Sequence, residues 1–413
     1  RNEIFNKEIQ GSCIIFLNYF KIYSWHCTLM PEDPSISKEK EIKIALVAGE
    51  KSGDQLGASL IESLRNDFPY AKFLGVGGPL MKKQGLESFF EMDKISVMGL
   101  IDPLLKLPEL LTLRKKLKKN LTREKPDIFV GIDSPDFNLN LAKYLKHKLN
   151  IKTVQYVGPS IWAWRKNRIR TIEQSVNKVL TLFPFESSAY QDSSVSVTYV
   201  GHPLAYKFSP SLRKKDYKLK YGISENKKII ALLPGSRKGE VKRVAKVMID
   251  FAKKVQELHK EYKFLMPLAK KDHRELIGDI SEIDWIEFSY ENAQAVLSYA
   301  DLAIVTSGTA SLEALLLRTP CIVVYKTSWI SYILIKPLLN ISYFSLPNLL
   351  ANKPLVPELL QNEVTSEALF KTFTKFTKED TKLCLKEFDS IHKILKGGGS
   401  EKASKAILDL LKC

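Results

Sequence analysis

The stretch LAIVTSGTASLEALLL, residues Leu302–Leu317, carries the clearest fold signal in this chain. A short apolar run ends in the polar turn TSGT and an apolar helical pattern comes next, which predicts a strand, a tight loop and a helix. Unpaired N–H groups and the positive dipole end of a helix start favour an anion, so we expect Ser307, Gly308 and Thr309 to contact a diphosphate. Glu313 falls one turn into the helix, where its carboxylate would accept bonds from ribose hydroxyls. A simpler explanation is that Thr309 only caps the helix and Glu313 only favours its first turn.

The length and charge of the chain narrow its class. At 413 residues it exceeds a usual single core, so two domains are expected. Lys and Arg outnumber Asp and Glu by 63 to 46, and the net charge of +17 favours nucleic acid, an anionic membrane surface or a phosphorylated substrate. The excess is mostly lysine spread along the chain, without an aromatic-interleaved motif, so we expect no nucleic-acid partner. The five cysteines and six histidines are scattered, which predicts neither a disulfide framework nor a zinc site.

The first 41 residues differ in character from the rest of the chain. They include the apolar run CIIFLNYF over residues 13–20, which is too short to span a bilayer. It could serve as an amphipathic anchor or a weak signal-like segment. We favour a flexible or non-native leader, with Met30 as the true start.

Ordered structure is expected to begin at Ile42. IKIALVAGE predicts a buried strand, GEKSGDQLG a glycine-rich turn and ASLIESLRNDF an amphipathic helix. Glycine lets a ligand approach the backbone closely, so Ser52 and Gly53 are candidate contacts for an acceptor substrate. A Walker A loop is excluded because Glu50 stands where a glycine should precede Lys51, and GVGGPL does not complete the GxGxxG dinucleotide fingerprint.

The segment from Ile95 to Lys119 joins a Pro-interrupted apolar run to a cluster of basic residues, ISVMGLIDPLLKLPELLTLRKKLKK. Apolar side chains beside lysines that meet anionic headgroups would suit a membrane surface. A core helix with a solvated basic end explains the pattern equally well.

The next segment supplies a candidate acid/base residue. PDIFVGID predicts a strand, SPDFN a turn and LNLAKYLKHKL a helix. Asp133 is therefore expected at the carboxyl end of a parallel strand, where ligands of open α/β sheets bind. Asp136 precedes the apolar helical run and is explained as an ordinary N-cap. Asp133 has no such local explanation, so we assign it the acid/base role.

Aromatic residues lie next along the chain, between a strand and a helix. Tyr156, Trp162 and Trp164 suit a platform for a sugar ring or an acyl chain, with Arg165 or Arg168 near a phosphate. Simple packing of tryptophan between domains is the alternative.

Eight motifs closely resemble those of the lipid-A-disaccharide synthase family, in this order: AGEKSGD, GIDSPDFN, VGPSIWAWR, LFPFE, GHP, LLPGSR, TSGTASLEALL and SLPNLLANKPLVPELLQ. The resemblance covers the chain from about Ile42 to the C-terminus. It implies a GT-B fold, an α/β architecture in which two Rossmann-like parallel-sheet domains face an interdomain cleft. We therefore expect an acceptor domain over residues 42–203, a UDP-sugar donor domain over residues 204–385, and a helical segment over residues 386–413. That last segment would pack back on the first domain or be exchanged between the protomers of a homodimer.

The resemblance also implies a reaction. A 2,3-diacylglucosamine unit passes from UDP to the 6-hydroxyl of 2,3-diacylglucosamine 1-phosphate, which gives a β-1,6 disaccharide with inversion and releases UDP. The substrates are then UDP-2,3-diacylglucosamine and 2,3-diacylglucosamine 1-phosphate, and the enzyme is expected in the cytoplasm, attached peripherally to the anionic inner-membrane surface.

The second domain contributes its own candidates. IIALLPGSRKGEVKR predicts a strand, a turn and a helix, so Gly235, Ser236 and Arg237 are expected at the edge of the sheet. Arg237 would hold the UDP diphosphate bidentately, although a helix-start salt bridge with Glu240 is the alternative. Asn348 of SLPN matches the family's motif and is expected in the cleft as an acceptor contact, although Asn after Pro is also an ordinary turn residue.

A metal-independent mechanism is expected because no DxD pair lies at a predicted strand end. Arg237 and the helix starts would stabilise the leaving group, and Asp133 would take the proton of the attacking hydroxyl, with no metal and no cofactor. Two departures from the family pattern are Lys51, where a small or uncharged residue is usual, and Gly158, where serine is common.

Two other functions stay open from the residues. One is a different GT-B enzyme that acts on a UDP-hexosamine, such as the peptidoglycan glycosyltransferase or a sugar-nucleotide epimerase. Its acceptor loops would not contain GIDSPDFN together with VGPSIWAWR. The other is a non-catalytic, membrane-associated nucleotide-binding protein, in which Asp133 and Arg237 would be dispensable.

Overall fold

The computed structural model describes residues 42–95, 107–163, 166–209, 214–278, 283–290, 292–329, 332, 342–376 and 378–412. The leader over residues 1–41, the run over residues 96–106, and the candidate acceptor contacts Trp164 and Arg165 lie outside the described residues.

Thirteen β-strands and fourteen α-helices are described. The strands are β1 Lys43–Ala48, β2 Lys72–Val76, β3 Leu86–Ser88, β4 Ile128–Ile132, β5 Lys152–Tyr156, β6 Lys178–Thr181, β7 Ser196–Tyr199, β8 Lys228–Leu233, β9 Tyr262–Pro267, β10 Ile286–Ser289, β11 Leu302–Thr306, β12 Cys321–Tyr325 and β13 Glu358–Leu360. The helices are α1 Lys51–Asp67, α2 Pro79–Lys83, α3 Leu107–Glu124, α4 Pro135–Leu149, α5 Ile169–Ser175, α6 Leu204–Lys207, α7 Lys214–Lys220, α8 Lys238–Leu258, α9 Ala293–Tyr299, α10 Thr309–Leu316, α11 Leu346–Ala351, α12 Ser366–Lys375, α13 Lys378–Lys396 and α14 Gly399–Lys412.

The strands form two parallel sheets. The first has seven strands in the order β3-β2-β1-β4-β5-β6-β7, and the second has six in the order β10-β9-β8-β11-β12-β13. In both sheets the order reverses beside the first strand, between β1 and β4 and between β8 and β11, and the pairing there is parallel. This is the doubly wound Rossmann arrangement, so the predicted pair of Rossmann-like domains is confirmed.

The central strands are buried because their sequences are continuous apolar runs. Ile44–Ala48 of β1 and Ile304 of β11 are fully buried, as expected for parallel strands covered by helices on both faces. One hydrophobic core surrounds the first sheet, and two separate clusters pack on the second. Each sheet therefore has its own core.

The last two helices belong to different cores. Phe388 of α13 packs in a core of the second sheet, whereas Ile407 of α14 packs in the core of the first. The chain crosses between them at residues 397–399, where Gly399 donates its N–H to the Val200 carbonyl at 2.7 Å. The expected boundary after residue 385 falls inside α13, so the segment that returns to the first sheet begins near residue 397.

The predicted glycine-rich turn after β1 is wrong in extent. Helix α1 already begins at Lys51, so Gly53 and Gly57 lie inside the helix and the connection is only Gly49 and Glu50. Both helical glycines are buried against neighbouring side chains. Close packing, which a Cβ would prevent, explains glycine here better than turn formation does.

Among the described residues, the structure contains no helix with the length and apolar character required to cross a bilayer.

Truncation of Phe388 tests the packing of α13 on the second core. Phe388 is fully buried, so Phe388→Ala should lower the free energy of unfolding by about 3–5 kcal/mol. Leu383→Ala is the matched control, because Leu383 lies on the same helix with 51% of its surface exposed and should change stability little. Urea denaturation measures both variants. Equal small effects would show that α13 does not pack as described.

Candidate active site

One cavity in the second domain collects every predicted donor residue. It has a volume of about 660 Å³ and lies where β8, β9, β10 and β11 end. Its predicted members are Gly235, Ser236, Arg237, Ser307, Gly308, Thr309 and Glu313. The other polar members are Thr306 of the TSGT turn, Glu240, which the sequence indicated only as a salt-bridge partner of Arg237, and Tyr290 and Asn292, which it did not indicate. For Tyr290 and Asn292 the only signal in the sequence is that they follow the end of a predicted strand, because the ends of neighbouring parallel strands meet at one sheet edge.

Arg237 presents an exposed guanidinium to this cavity. It stands at the N-cap position of α8, and its Nη1 lies 3.1 Å from Glu240 Oε1. The side chain is 78% exposed, so this pair contributes little to stability and leaves the guanidinium accessible to a ligand. Glu240 Oε2 also accepts the backbone N–H groups of Ser236 and Arg237, at 3.1 and 3.3 Å. The salt bridge between Arg237 and Glu240, which the sequence offered as the alternative to diphosphate binding, is therefore present in the wall of the cavity.

The start of α10 forms another part of the cavity wall. Gly308 is the N-cap residue, with φ of +144°, and no side chain caps the helix. The explanation that Thr309 caps this helix is therefore wrong, because Thr309 is its first residue. Ser307 Oγ donates to the Phe344 carbonyl at 2.7 Å, which ties the loop to the segment before α11. An uncapped helix start in a polar cavity is suited to bind a phosphate group.

Glu313 lies half-buried in the same cavity wall. Its Oε1 accepts a hydrogen bond from Gln294 Nε2 at 2.7 Å. Burial raises the pKa of the Glu313 carboxyl, while the Gln294 hydrogen bond and the charge of Lys207 oppose that rise. Both neighbours therefore favour the ionised form of the carboxylate.

Asp133 occupies the end of β4 in a confined position. Its Oδ1 accepts the Gly49 N–H at 3.0 Å, while Oδ2 is buried without a hydrogen-bond partner. Its backbone lies in the left-handed region, with φ of +52°, and its carbonyl accepts the amides of Asn138 and Gln155 at 3.1 and 2.9 Å. Burial raises the pKa of the Asp133 carboxyl to about 7. A carboxyl with that pKa can exchange a proton near neutral pH.

Gly53 makes room for this carboxylate. A Cβ at Gly53 would lie 1.8 Å from Asp133 Oδ2, a distance that no side chain can occupy. Ser52 is exposed in the first turn of α1, one residue before Gly53. The two predicted acceptor contacts therefore differ: Gly53 touches the candidate base, and Ser52 faces solvent beside it.

The predicted N-cap role of Asp136 is wrong. Ser134 is the N-cap of α4 and Pro135 is its first residue, because proline suits the first helical position. Asp136 lies one residue further on and pairs with Arg168. Arg168, a candidate phosphate contact from the sequence, is thus held by a carboxylate.

Tyr156 and Trp162 lie at the same edge of the first sheet. Tyr156 is buried at the end of β5 and lines a cavity of about 580 Å³, together with Leu56, Pro203 and Tyr206. Trp162 is half-buried, and its Nε1 donates to Glu186 Oε1 at 3.2 Å. The Trp162 donor is therefore already used within the protein, and its ring packs edge-to-face on Phe185 with 4.8 Å between the ring centroids.

Asn348 was predicted to contact the acceptor, but its amide is bonded within the protein. It is buried, and its Nδ2 donates to the Val356 carbonyl at 2.9 Å and to Glu358 Oε1 at 2.8 Å. Its Oδ1 accepts the N–H groups of Leu355 and Val356, both at 2.8 Å. These four bonds use the full capacity of an amide, so the Asn348 side chain has none left for an acceptor.

Within the described residues, no cluster of three or more His, Cys, Asp and Glu side chains is arranged to hold a metal ion.

Solved structures with the same architecture include glycosyltransferases. A glycotransferase of kitacinnamycin superposes with a TM-score of 0.62 at 13% identity, covering 90% of this chain and 99% of that one. MurG of Acinetobacter baumannii superposes with a TM-score of 0.55 at 13% identity, covering 89% and 99% of the two chains. At these identities the likeness shows the fold alone, which is the GT-B fold.

The family is established by similarity of amino-acid sequence. The family described as Lipid-A-disaccharide synthetase matches residues 44–409. A lipid-A-disaccharide synthase of Idiomarina loihiensis is 40% identical over 380 residues, covering 91% of this chain and all of that protein. The chain therefore belongs to the lipid-A-disaccharide synthase family of glycosyltransferases.

Gly53→Ala tests the packing around Asp133. The added methyl group must displace the carboxylate, so kcat should fall by about 10²-fold while the far-UV circular dichroism spectrum stays native. Glu62→Ala, at an exposed position of α1, is the control and should keep native turnover. Native kcat in Gly53→Ala would show that Asp133 need not occupy this position for catalysis.

Proposed function

We propose that this chain transfers 2,3-diacylglucosamine from UDP to the 6-hydroxyl of 2,3-diacylglucosamine 1-phosphate, as a glycosyltransferase of lipid A biosynthesis. The acceptor O6 bonds to the anomeric carbon, the bond from that carbon to the UDP phosphate breaks, and the configuration inverts. The products are the β-1,6 disaccharide 1-phosphate and UDP, and the hydroxyl proton passes to the enzyme.

One observation carries this proposal. All seven donor residues expected from two separate sequence motifs line a single cavity of about 660 Å³. A guanidinium, an uncapped helix start and a carboxylate in one cavity match the diphosphate and ribose of a nucleoside diphosphate. The name of the family, lipid-A-disaccharide synthase, supports a disaccharide precursor of lipid A as the product.

Asp133 is the proposed general base. Its pKa of about 7 lets it accept a proton at neutral pH, and its unpartnered Oδ2 is the atom with free capacity to do so. The Gly49 N–H holds Oδ1 and so orients the carboxyl. The base then takes the O6 proton as O6 attacks the anomeric carbon.

Arg237 and the start of α10 are the proposed diphosphate site. The leaving UDP gains negative charge as the glycosidic bond breaks, and fixed donors aimed at that charge stabilise the transition state more than the ground state. Glu313 would accept hydrogen bonds from the ribose. We assign these roles to the chain's own residues, with Gly235, Ser236, Ser307, Gly308 and Thr309 as donor contacts.

The acceptor is proposed to bind against the first sheet. The cavity of about 580 Å³ beside Tyr156 suits part of its lipid, because Leu56, Pro203 and Tyr206 supply apolar walls. Trp162 and Ser52 lie at the same sheet edge as further candidate contacts. Asn348 is not among them, because its amide is fully bonded inside the protein.

The cytoplasmic surface of the inner membrane is the proposed working surface. Helix α3 exposes Leu107 and Leu111, at 46% and 49%, together with Lys115, Lys116 and Lys119. Exposed leucines beside lysines suit an interface with anionic lipid headgroups. The homodimer expected from the resemblance stays a prediction.

Asp133→Asn tests the general base. Asparagine has nearly the same shape and cannot take the proton, so turnover should fall by about 10²–10⁴-fold with native folding and native UDP affinity. The native enzyme should lose kcat as the pH falls below about 7, because protonation removes the base, and the variant should not show that limb. Near-native kcat in the variant would contradict the assignment.

Arg237→Ala tests the diphosphate site. A charge-assisted hydrogen bond contributes roughly 1.5–3 kcal/mol, so the dissociation constant for UDP should rise by about 10- to 100-fold. Lys242→Ala removes a positive charge from an exposed position on the same helix and is the control. Calorimetric titration with UDP measures both. Equal effects in the two variants would indicate general electrostatics rather than a specific contact.

A further inference from the structure

Gln294 is a polar residue of α9 that neither the sequence motifs nor the family resemblance assigns to the site. Its side chain lies between two charged groups. Nε2 donates to Glu313 Oε1 at 2.7 Å, and Oε1 accepts from Lys207 Nζ at 2.7 Å. A cation on α6 is thereby linked through one amide to the carboxylate of the donor cavity.

The orientation of this amide is determined by its neighbours. Its oxygen faces the Lys207 ammonium and its NH₂ faces the Glu313 carboxylate, whereas the flipped amide would set oxygen against oxygen and N–H against N–H. Asn292 adds a second constraint, because its Nδ2 donates to Gln294 Oε1 at 3.5 Å, while its Oδ1 accepts the backbone N–H of Gln294 at 3.0 Å at the start of α9. The Gln294 donor is therefore aimed at one oxygen of Glu313 before any ligand binds.

We propose that Gln294 is a positioning residue for nucleotide recognition. Its amide holds the Glu313 carboxylate as an acceptor for the ribose hydroxyls. Lys207, in the connection between the two sheets, supports the Gln294 side chain. The inference rests on the proposed function, because it takes a nucleoside diphosphate as the ligand of the cavity. Gln294 acts through Glu313 and touches no reacting atom. Occupation of Oε1 by Gln294 leaves Oε2 of Glu313 as the oxygen for the ribose.

The charged and titratable groups around Glu313 give this arrangement a pH signature. Lys207 approaches from α6, and Arg237, Glu240 and Tyr290 line the same cavity. Several elements pack on α10. Two of them, β11 and α11, carry no titratable side chain. Helix α9 carries Tyr299, and β12 carries Cys321 and Tyr325. On α13, Glu387 and Asp389 are paired with Lys353 and Arg318.

Burial favours the protonated form of Glu313, and the Gln294 donor opposes it. Without that donor the pKa of Glu313 rises further. The ionised carboxylate is then lost as the pH falls, at a higher pH than in the native protein. UDP affinity should change in parallel, because a protonated carboxyl is a weaker acceptor for ribose hydroxyls.

Gln294→Met tests the inference, since methionine keeps the length of the side chain without its amide. UDP affinity is measured by calorimetric titration from about pH 5 to about pH 8. The variant's dissociation constant is divided by the native one at each pH, because the UDP phosphate itself titrates near pH 6. The ratio should be about 3- to 10-fold at the acid end and fall toward one at the alkaline end. Gln191→Met, at an exposed position outside the cavity, should give a ratio of one throughout.

A double-variant cycle tests the role of Lys207. Lys207→Met alone should weaken UDP binding in the same direction as Gln294→Met, and it should add little in the Gln294→Met background, because it acts through that amide. A Gln294→Met ratio that is constant with pH would indicate only a loosened cavity and would overturn the inference, as would a ratio of one. Native protein that fails to bind UDP at every pH would instead refute the proposed function.

Discussion

The parallel pairing of both sheets is the constraint on which the site depends. In each sheet the strand order reverses once, and the loops on either side of that point diverge to opposite faces and leave a crevice. Gly49 and Asp133 come directly after the two strands at the reversal of the first sheet. Gly235 and Ser307 come after the corresponding strands of the second. The candidate base and the donor cavity therefore occupy equivalent places in two copies of one architecture, and the different side chains at those places separate proton transfer from nucleotide binding.

Burial gives the two carboxylates of the site their properties. Asp133 accepts the Gly49 N–H, but desolvation outweighs its hydrogen bonds and raises its pKa to about 7, which prepares it to take a proton. Glu313 is also partly desolvated, but an amide and a nearby ammonium favour its ionised form. A base must be able to change its charge, whereas an acceptor of hydrogen bonds must keep it. The deeper burial of Asp133 distinguishes the two roles.

Contiguous motifs were predictable from the sequence, and contacts between distant segments were not. The family resemblance implied the two Rossmann-like sheets, and the strand, turn and helix signals placed the donor residues at strand ends, which converge in a parallel sheet whatever the details of packing. Asn348 was misjudged because nothing in SLPN shows that its amide would be satisfied by its own loop, up to Glu358. Asp136 was misjudged because the helix begins at Pro135, two residues earlier than an N-cap at Asp136 would place it. Gln294 gave no signal, since its importance arises only when α6, α9 and α10 meet.

The most direct measurement is an incubation of the purified protein with UDP-2,3-diacylglucosamine and 2,3-diacylglucosamine 1-phosphate. Mass spectrometry and the anomeric proton coupling identify the product and its configuration. The proposed function predicts the β-1,6 disaccharide 1-phosphate and UDP in equal amounts. UDP binding without any turnover, an epimerised nucleotide sugar, or transfer with retained configuration would contradict it.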